Sequence, residues 1–529
     1  MAERDFMVPG KSVALAENGM AATSHPLATL TAVDILRAGG NAVDAAIAGV
    51  ALQCVIDPHM TGIGGDCFAL YAPAGKPLTA FNGSGRSPAG IDAEALRAKG
   101  WSSIPDLAVD AVTIPGAVDA WCQLSETHGT LGLDQVLAPA IKAAEEGFVI
   151  TPRVALDWAR YAFRLEGDDA AKRQFLPKGR APKIGERLTN PKLAATLRRI
   201  GAEGRSAFYE GEVAADIVAA LKSHGGVHTD SDLAGHAGFF TDPIGAAYRG
   251  KTLNECPPNG QGLAALIITR ILEGFDLAGD RYTEADRIHL LAEATKAGYR
   301  QRDALISDPE TMTASVEDIL SDQHINRLRE LISLDTATGP EAWDLPVHRD
   351  TVYLTVVDRD GNAISLINSL FFAFGSGIYA PNAGVLLQNR GAGFSLKADH
   401  PNSLAPNKRP FHTIIPAIVS EAGRPLMTLG VMGGQYQATG HAHMMSQVFD
   451  RGLDIQAASD QPRSFFVDGE LGLEPTISDA VRQDLNARGH ATRIVDEPIG
   501  GCQAIMIDYE RGVLWGASDH RKDGIALGY

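Results

Sequence analysis

Hydrophobic and polar positions change period along this chain, and the changes mark out its elements. Leu27, Leu30, Val33 and Leu36 recur at helical spacing between Pro26 and Arg37, and Gly39-Gly40 stops the run. From Asn41 to about Val55 the residues are apolar almost all round, which predicts a fully buried helix. His59 to Asp66 is a Gly-rich turn into a strand over 67–71, with Ala80-Phe81-Asn82 as its partner. Between Asp92 and Gly279 the pattern is mostly helical, with helices expected at Ala117–His128, Leu133–Glu146, 151–164, 191–200 and 212–223. Thr151-Pro152 and Asn190-Pro191 read as N-caps followed by Pro at the first helical position, and Gly201 as a helix stop. A helix over 263–272 and another opened by Thr283-x-x-Asp286 follow, before residues 308–347 turn polar and irregular.

At Thr351 the period drops to two. Val352, Leu354 and Val356 alternate with Thr351, Tyr353 and Thr355, the pattern of a half-buried strand. Asp360-Gly361 is a hairpin signal, and Ala363–Ser369 reads as the returning strand. Further strands are expected at 384–388, 412–419, 427–431, 502–508 and 513–517, with helices at Tyr436–Phe449 and 476–488. The Pro/Asn-rich stretch 398–410 reads as a surface lid. Strands crowd the last third, helices the first two-thirds, and paired strands lie near both ends. That order predicts an α+β fold of stacked antiparallel sheets covered by helices.

Composition narrows the classes. The 529 residues are 45% hydrophobic and 21% charged, as in ordinary globular chains. Lys and Arg number 47 against 64 Asp and Glu, a net charge of −17 with no basic run, which argues against a broad nucleic-acid surface. The five cysteines, Cys54, Cys67, Cys122, Cys256 and Cys502, are scattered and lack C-x-x-C spacing, so they read as buried thiols in a reducing compartment. Residues 1–18 hold no apolar signal core, and the apolar stretch 42–56 is interrupted by Asp44 and too short for a bilayer. A soluble, cytoplasmic protein without membrane partner is expected.

The chemistry gathers at Asp350-Thr351. If the chain cuts itself there, Thr351 becomes N-terminal, and its own α-amine can take the proton from its hydroxyl. An α-amine titrates near pH 8, so about a tenth of it is free base at pH 7 and more just above. The glycines of Thr61-Gly62-Ile63-Gly64-Gly65 precede no Lys-Ser/Thr and open no helix, so they are expected to serve close backbone packing rather than a phosphate. Arg86, framed by Gly85 and Ser87 after a strand, is a candidate carboxylate clamp. His441-x-His443 has no matched carboxylate spacing for a metal, and no Gly-x-Ser-x-Gly elbow is present.

Several longer runs carry a resemblance. Ala38-Gly39-Gly40-Asn41-Ala42-Val43-Asp44, Thr61 to Gly65, Pro115-Gly116, Asp350-Thr351, Val357-Asp358-x-Asp360-Gly361-Asn362, Phe374-Gly375-Ser376-Gly377, Met432-Gly433-Gly434 and Gly516-Ala517-Ser518-Asp519 together resemble the γ-glutamyltransferase family of N-terminal-nucleophile hydrolases. The resemblance implies a four-layer αββα sandwich. It implies a proenzyme that cleaves into a large chain, 1–350, and a small chain, 351–529, which stay paired as a heterodimer in one unit. Thr351 would be the nucleophile, Ser369 its supporting hydroxyl, and Gly433 and Gly434 the oxyanion hole. Arg86 would bind a substrate carboxylate. No cofactor and no metal are implied.

Other positions depart from the family pattern. Tyr353 stands for a His, Phe371 for an Asn, Arg390 for a Gln or Glu, and Gly393 for the Asp that holds an α-ammonium; His412-Thr413 replaces a pair of Ser. An added Arg repels an ammonium and attracts an anion. Arg390, His412 and Thr413 therefore join Arg86 as expected substrate contacts. Two enzymatic readings follow: a glutathione hydrolase-like γ-glutamyl enzyme, or an amidohydrolase of a small anionic amide such as oxamate. An unprocessed binding relative is the reading from another class.

Overall fold

A computed structural model describes residues 10–339 and 351–529. Asp350, half of the expected cleavage site, lies outside the described residues.

The strand after Thr351 sits at the centre of the architecture. Val352–Val357 pairs antiparallel with Ala363–Ser369 on one side and Met20–Thr23 on the other. The full sheet runs Ile525–Gly528, Met20–Thr23, Val352–Val357, Ala363–Ser369, Asp66–Ala72, Thr79–Gly83 and Phe239–Thr241. A second seven-stranded sheet runs Ala14–Ala16, Val513–Ser518, Gly501–Asp508, Arg424–Met432, Ala417–Glu421, Lys251–Glu255 and Ile244–Tyr248. Alternation sends the two faces of each strand to different layers. Val352, Leu354 and Val356 pack under the helices Pro26–Arg37 and Ala42–Ile56, while Tyr353, Val357 and Ile367 meet Ile418, Met432 and Ile505 between the sheets. On the far side, Ala417, Leu429 and Val431 pack against Gly262–Glu273, Glu284–Leu305 and Tyr436–Phe449. The result is the expected αββα sandwich, with helices from both ends of the chain closing it.

Local chemistry explains the element ends. Asn41 caps Ala42–Ile56 through the N–H groups of Val43 and Asp44, and Asp358 at the central hairpin accepts from Ala42 N at 3.0 Å. The same Asp358 takes the N–H groups of Asp360 and Asn362, at 3.0 Å each, while Gly361 turns at φ +84°. One carboxylate thus ties the hairpin tip to the start of a buried helix. The box Thr283/Asp286 caps Glu284–Leu305 as expected.

Some expectations fail for identifiable reasons. The central strand is buried on both faces, not half-buried, because a second sheet covers the side that alternation left polar. In Pro26–Arg37, Leu27 and Leu30 are exposed, and Ala28, Ala32, Val33, Ile35 and Leu36 face inward. Small residues let that helix approach its all-buried neighbour closely. Gly201 does not end its helix, which runs Pro191–Glu203 and stops at Gly204 with φ +69°. Thr151 precedes Pro152–Tyr161 but makes no side-chain capping bond. The strands Phe239–Thr241, Ile244–Tyr248 and Lys251–Glu255 were hidden in a region read as helical. The polar stretch after Asp308 holds short helices at Val316–Ile319 and Asp322–Glu330. The strand expected over 412–419 begins only at Ala417. All five cysteines are free thiols, four buried and Cys122 partly so. Among the described residues no helix is long and apolar enough to cross a membrane.

Candidate active site

Thr351 stands at the head of the central strand, and both Thr351 and Ser369 are fully buried. Their hydroxyl oxygens lie 3.2 Å apart. The hairpin register explains the meeting: Val352 pairs with Asn368, so the residue before one strand faces the last residue of the other. Ser369 Oγ also accepts the N–H of Phe371 at 2.9 Å. Phe371 has φ +82°, a left-handed conformation that strains a bulky residue and that surrounding contacts must hold.

Asp66, cross-strand partner of Ser369, was missed as a site residue and is a hub. Its Oδ1 accepts from Gly85 N and Gly116 N, at 3.1 Å each, and from Gln388 Nε2 at 2.9 Å. Its Oδ2 lies 3.0 Å from His412 Nε2. Burial pushes the Asp66 carboxyl up to about 6, against the opposing pull of the Arg390 charge and of these donors. The signal in the sequence was the acid closing the Gly-rich run. The glycines before it serve close packing as expected: a Cβ on Gly65 would lie 2.2 Å from the Ser369 carbonyl oxygen, and one on Gly64 2.2 Å from that of Leu386.

Arg390 is wholly buried. Its Nη1 donates to Thr413 Oγ1 at 2.9 Å, and its guanidinium carbon lies 3.9 Å from the centre of the Phe371 ring. Burial pulls the guanidinium down to about 9 while Asp66 pulls it back up, which leaves it cationic at neutral pH. Thr413, His412 and Arg390 therefore do come together, as the sequence suggested. Gln261, another residue the sequence reading missed, ties them to the glycine turn. Its Nε2 donates to the carbonyls of Thr413 at 2.5 Å and Gly434 at 2.9 Å.

Gly433 and Gly434 follow the strand Arg424–Met432 and open the helix Tyr436–Phe449. Both have positive φ, +123° and +57°, and a Cβ on Gly433 would lie 2.9 Å from Gly500 Cα. Among the described residues neither N–H has a hydrogen-bond acceptor. Two such amides at a helix start can stabilise a developing negative charge.

Arg86 stands apart from these contacts. Its guanidinium donates to the Asn407 carbonyl at 2.6 Å and pairs with Asp308 at 3.5 Å and Glu310 at 3.3 Å. It forms part of the wall of two surface cavities, of about 430 and 810 Å³, and Arg409 lines both. The link to the buried cluster is backbone: Gly85 N on Asp66. His441 bonds Glu255 through Nδ1 at 2.6 Å rather than standing in a His-x-His metal site. The trio with metal-like spacing among the described residues is His289, Glu293 and His490. There Lys296 and Thr338 already occupy both oxygens of Glu293.

Comparison with known proteins agrees with this architecture. The family model described as gamma-glutamyltranspeptidase matches residues 28–529. The chain is 37% identical to the glutathione hydrolase-like YwrD proenzyme of Bacillus subtilis, over 96% of this chain and 98% of that protein. It is 33% identical to the oxamate amidohydrolase proenzyme of Klebsiella pneumoniae, over 97% and 98% of the two chains. The crystal structure of cephalosporin acylase from Bacillus halodurans superimposes with a TM-score of 0.93 at 40% identity, covering 100% of this chain and 99% of that one. On fold, coverage and identity alike, the chain is an enzyme of the gamma-glutamyltranspeptidase family of N-terminal-nucleophile hydrolases.

Proposed function

We propose that this protein is a self-processing amidohydrolase in which Thr351 forms an acyl-enzyme. The observation that carries the reading is the buried Thr351 hydroxyl, 3.2 Å from that of Ser369 at the head of the central strand. In processing, Thr351 Oγ attacks the Asp350 carbonyl carbon. The peptide C–N bond breaks, leaving an ester and a free α-amine. Water then cleaves the ester, giving chains 1–350 and 351–529 held together as a heterodimer. In turnover the amine accepts the hydroxyl proton as the oxygen attacks a substrate amide, and passes a proton to the leaving nitrogen. The N–H groups of Gly433 and Gly434 take the oxyanion, Ser369 fixes the attacking oxygen, and water releases the acid. None of these steps calls for a metal or cofactor.

The family's γ-glutamyl chemistry makes a glutathione hydrolase-like activity the first substrate reading. The second is a small anionic amide, in keeping with the name of the oxamate-hydrolysing relative. The buried Arg390 beside Thr413 favours the second. Release of p-nitroaniline from γ-glutamyl-p-nitroanilide is to be measured beside release of ammonia from oxamate. In parallel, intact mass of the small chain is followed during turnover. Acylation of the 351–529 chain in either assay is the expected result. Turnover with no dependence on Thr351, shown by a fully active Thr351→Ala, would overturn it.

A further inference from the structure

Arg390 is the group whose chemistry the mechanism above leaves unused. A guanidinium offers a side-on fork, Nε with Nη2, that matches the two oxygens of a carboxylate. In Arg390 the third nitrogen, Nη1, is spent on Thr413, while Nε and Nη2 are buried and have no partner among the described residues. The Phe371 ring lies 3.9 Å from the guanidinium carbon and restrains the plane of the fork. The backbone of Phe371 is itself held at φ +82°. From Phe371 the contacts run directly to the expected nucleophile, through its N–H on Ser369 Oγ at 2.9 Å and on to Thr351 at 3.2 Å.

Among the described residues no carboxylate bonds this fork. Asp66 acts on Arg390 through space, but three donors hold its Oδ1 and His412 faces its Oδ2. Two unmet donors on a buried cation are costly unless a ligand completes them. Among the described residues Asp66 is thus already engaged and not free for a substrate ammonium, and a cation beside Arg390 would be repelled.

We infer that the Nε/Nη2 fork of Arg390 seats a carboxylate of the acyl group, so that the preferred substrates are monoamides of dicarboxylic acids that carry no α-ammonium. The inference rests on Thr351 as nucleophile for the position of the amide, but the seat itself can be read without turnover.

Three anilides separate the possibilities: glutaryl-p-nitroanilide, γ-L-glutamyl-p-nitroanilide and the uncharged butyryl-p-nitroanilide. For the wild-type enzyme, kcat/KM is expected to be at least ~10-fold higher for glutaryl than for γ-glutamyl, and ~10²-fold higher than for butyryl, chiefly through KM. Arg390→Gln should bring the glutaryl-to-butyryl ratio towards one. Arg390→Lys, which keeps the charge but loses the fork, should fall between. Titration calorimetry on the wild-type enzyme with glutarate and with L-glutamate reads the seat directly. Glutarate should bind at least ~10-fold more tightly. A preference for γ-glutamyl-p-nitroanilide, equal binding of glutamate and glutarate, or a glutaryl-to-butyryl ratio unchanged in both Arg390 variants would overturn the inference. If no anilide is cleaved while glutarate still binds more tightly than glutamate, the seat stands and the nucleophile assignment fails.

Discussion

Gly430 faces the ring of Tyr353, two residues along the strand from the expected nucleophile, and a single methyl group there should be felt in both stability and turnover. A Cβ on Gly430 would lie 2.2 Å from Cε2 and 2.3 Å from Cδ2 of Tyr353. Carbon atoms in contact want about 3.5 Å, so Gly430→Ala is short by about 1.3 Å. The ring cannot swing away cheaply: Tyr353 is fully buried and its hydroxyl lies 2.8 Å from that of Ser365. Relief must come from separating the strands Val352–Val357 and Arg424–Met432, which lead from Thr351 and to Gly433. Overpacking of this kind costs about 1–3 kcal/mol. For a chain this long, about 2.1 cal/mol/K per residue gives roughly 1.1 kcal/mol/K at the midpoint, so a cost of ~2 kcal/mol lowers Tm by only ~2 °C. The larger effect should be on kcat. Moving nucleophile and oxyanion amides apart by about 1 Å costs on the order of 10²-fold. Calorimetric melting and steady-state kinetics on Gly430→Ala, Tyr353→Leu and the double variant test this. The double variant should recover most of the loss seen in Gly430→Ala, because Leu vacates the clash. Wild-type Tm and kcat in Gly430→Ala, or a loss that Tyr353→Leu does not relieve, would refute the packing argument.

Other expectations follow from the same contacts. Ser369→Ala removes the hydroxyl 3.2 Å from Thr351 and the acceptor of Phe371 N, so kcat should fall about 10–10²-fold at nearly unchanged Tm; unaltered kcat would deny Ser369 a supporting role. His236 and His443 are held down to about 3 by burial, each with nearby arginine charges adding to the effect. Below pH ~6.5 the unfolded chain takes protons that the folded chain refuses, so stability is flat above that pH and falls as pH drops toward 3. At pH 5 the loss approaches ~2 kcal/mol per histidine, and His443→Gln should show a smaller drop in Tm between pH 7 and pH 5 than wild type; equal drops would count against the assignment. Because protein groups already engage Glu293 in the His289–Glu293–His490 trio, EDTA should leave Tm and turnover unchanged, and a loss restored by Zn²⁺ would show a metal site instead.

Much of the fold was legible because its element ends are chemically marked. The caps at Thr283 and Asn190 and the turn at Asp360-Gly361 placed two helices and the central hairpin correctly. What failed was whatever tertiary packing decides. Leu27 and Leu30 gave the stronger local signal, yet the helix turns its small residues inward because its neighbour is buried all round. Three short strands between Phe239 and Glu255 lack a long alternating run, and only the rest of the second sheet makes two of them strands. The site divides in the same way. Resemblance and chemistry pointed to Thr351, Ser369, the two glycines, Arg390, His412 and Thr413, and the structure gathers Thr351 with Ser369 and Arg390 with Thr413. Gln261 and Gln388 were not legible, and Asp66 showed only as the acid closing a Gly-rich run, since their importance lies in bonds to groups far away in sequence. Arg86 was picked for its Gly/Ser frame, and its side chain pairs with Asp308 and Glu310 instead.

The proposed chemistry depends on one peptide bond. Intact mass of the purified protein, with N-terminal sequencing of any small fragment, examines that bond directly. Two polypeptides ending at Asp350 and beginning at Thr351 are expected for the native sequence, and one 529-residue polypeptide for Thr351→Ala. A native chain that stays whole while hydrolysing amides at full rate would contradict it.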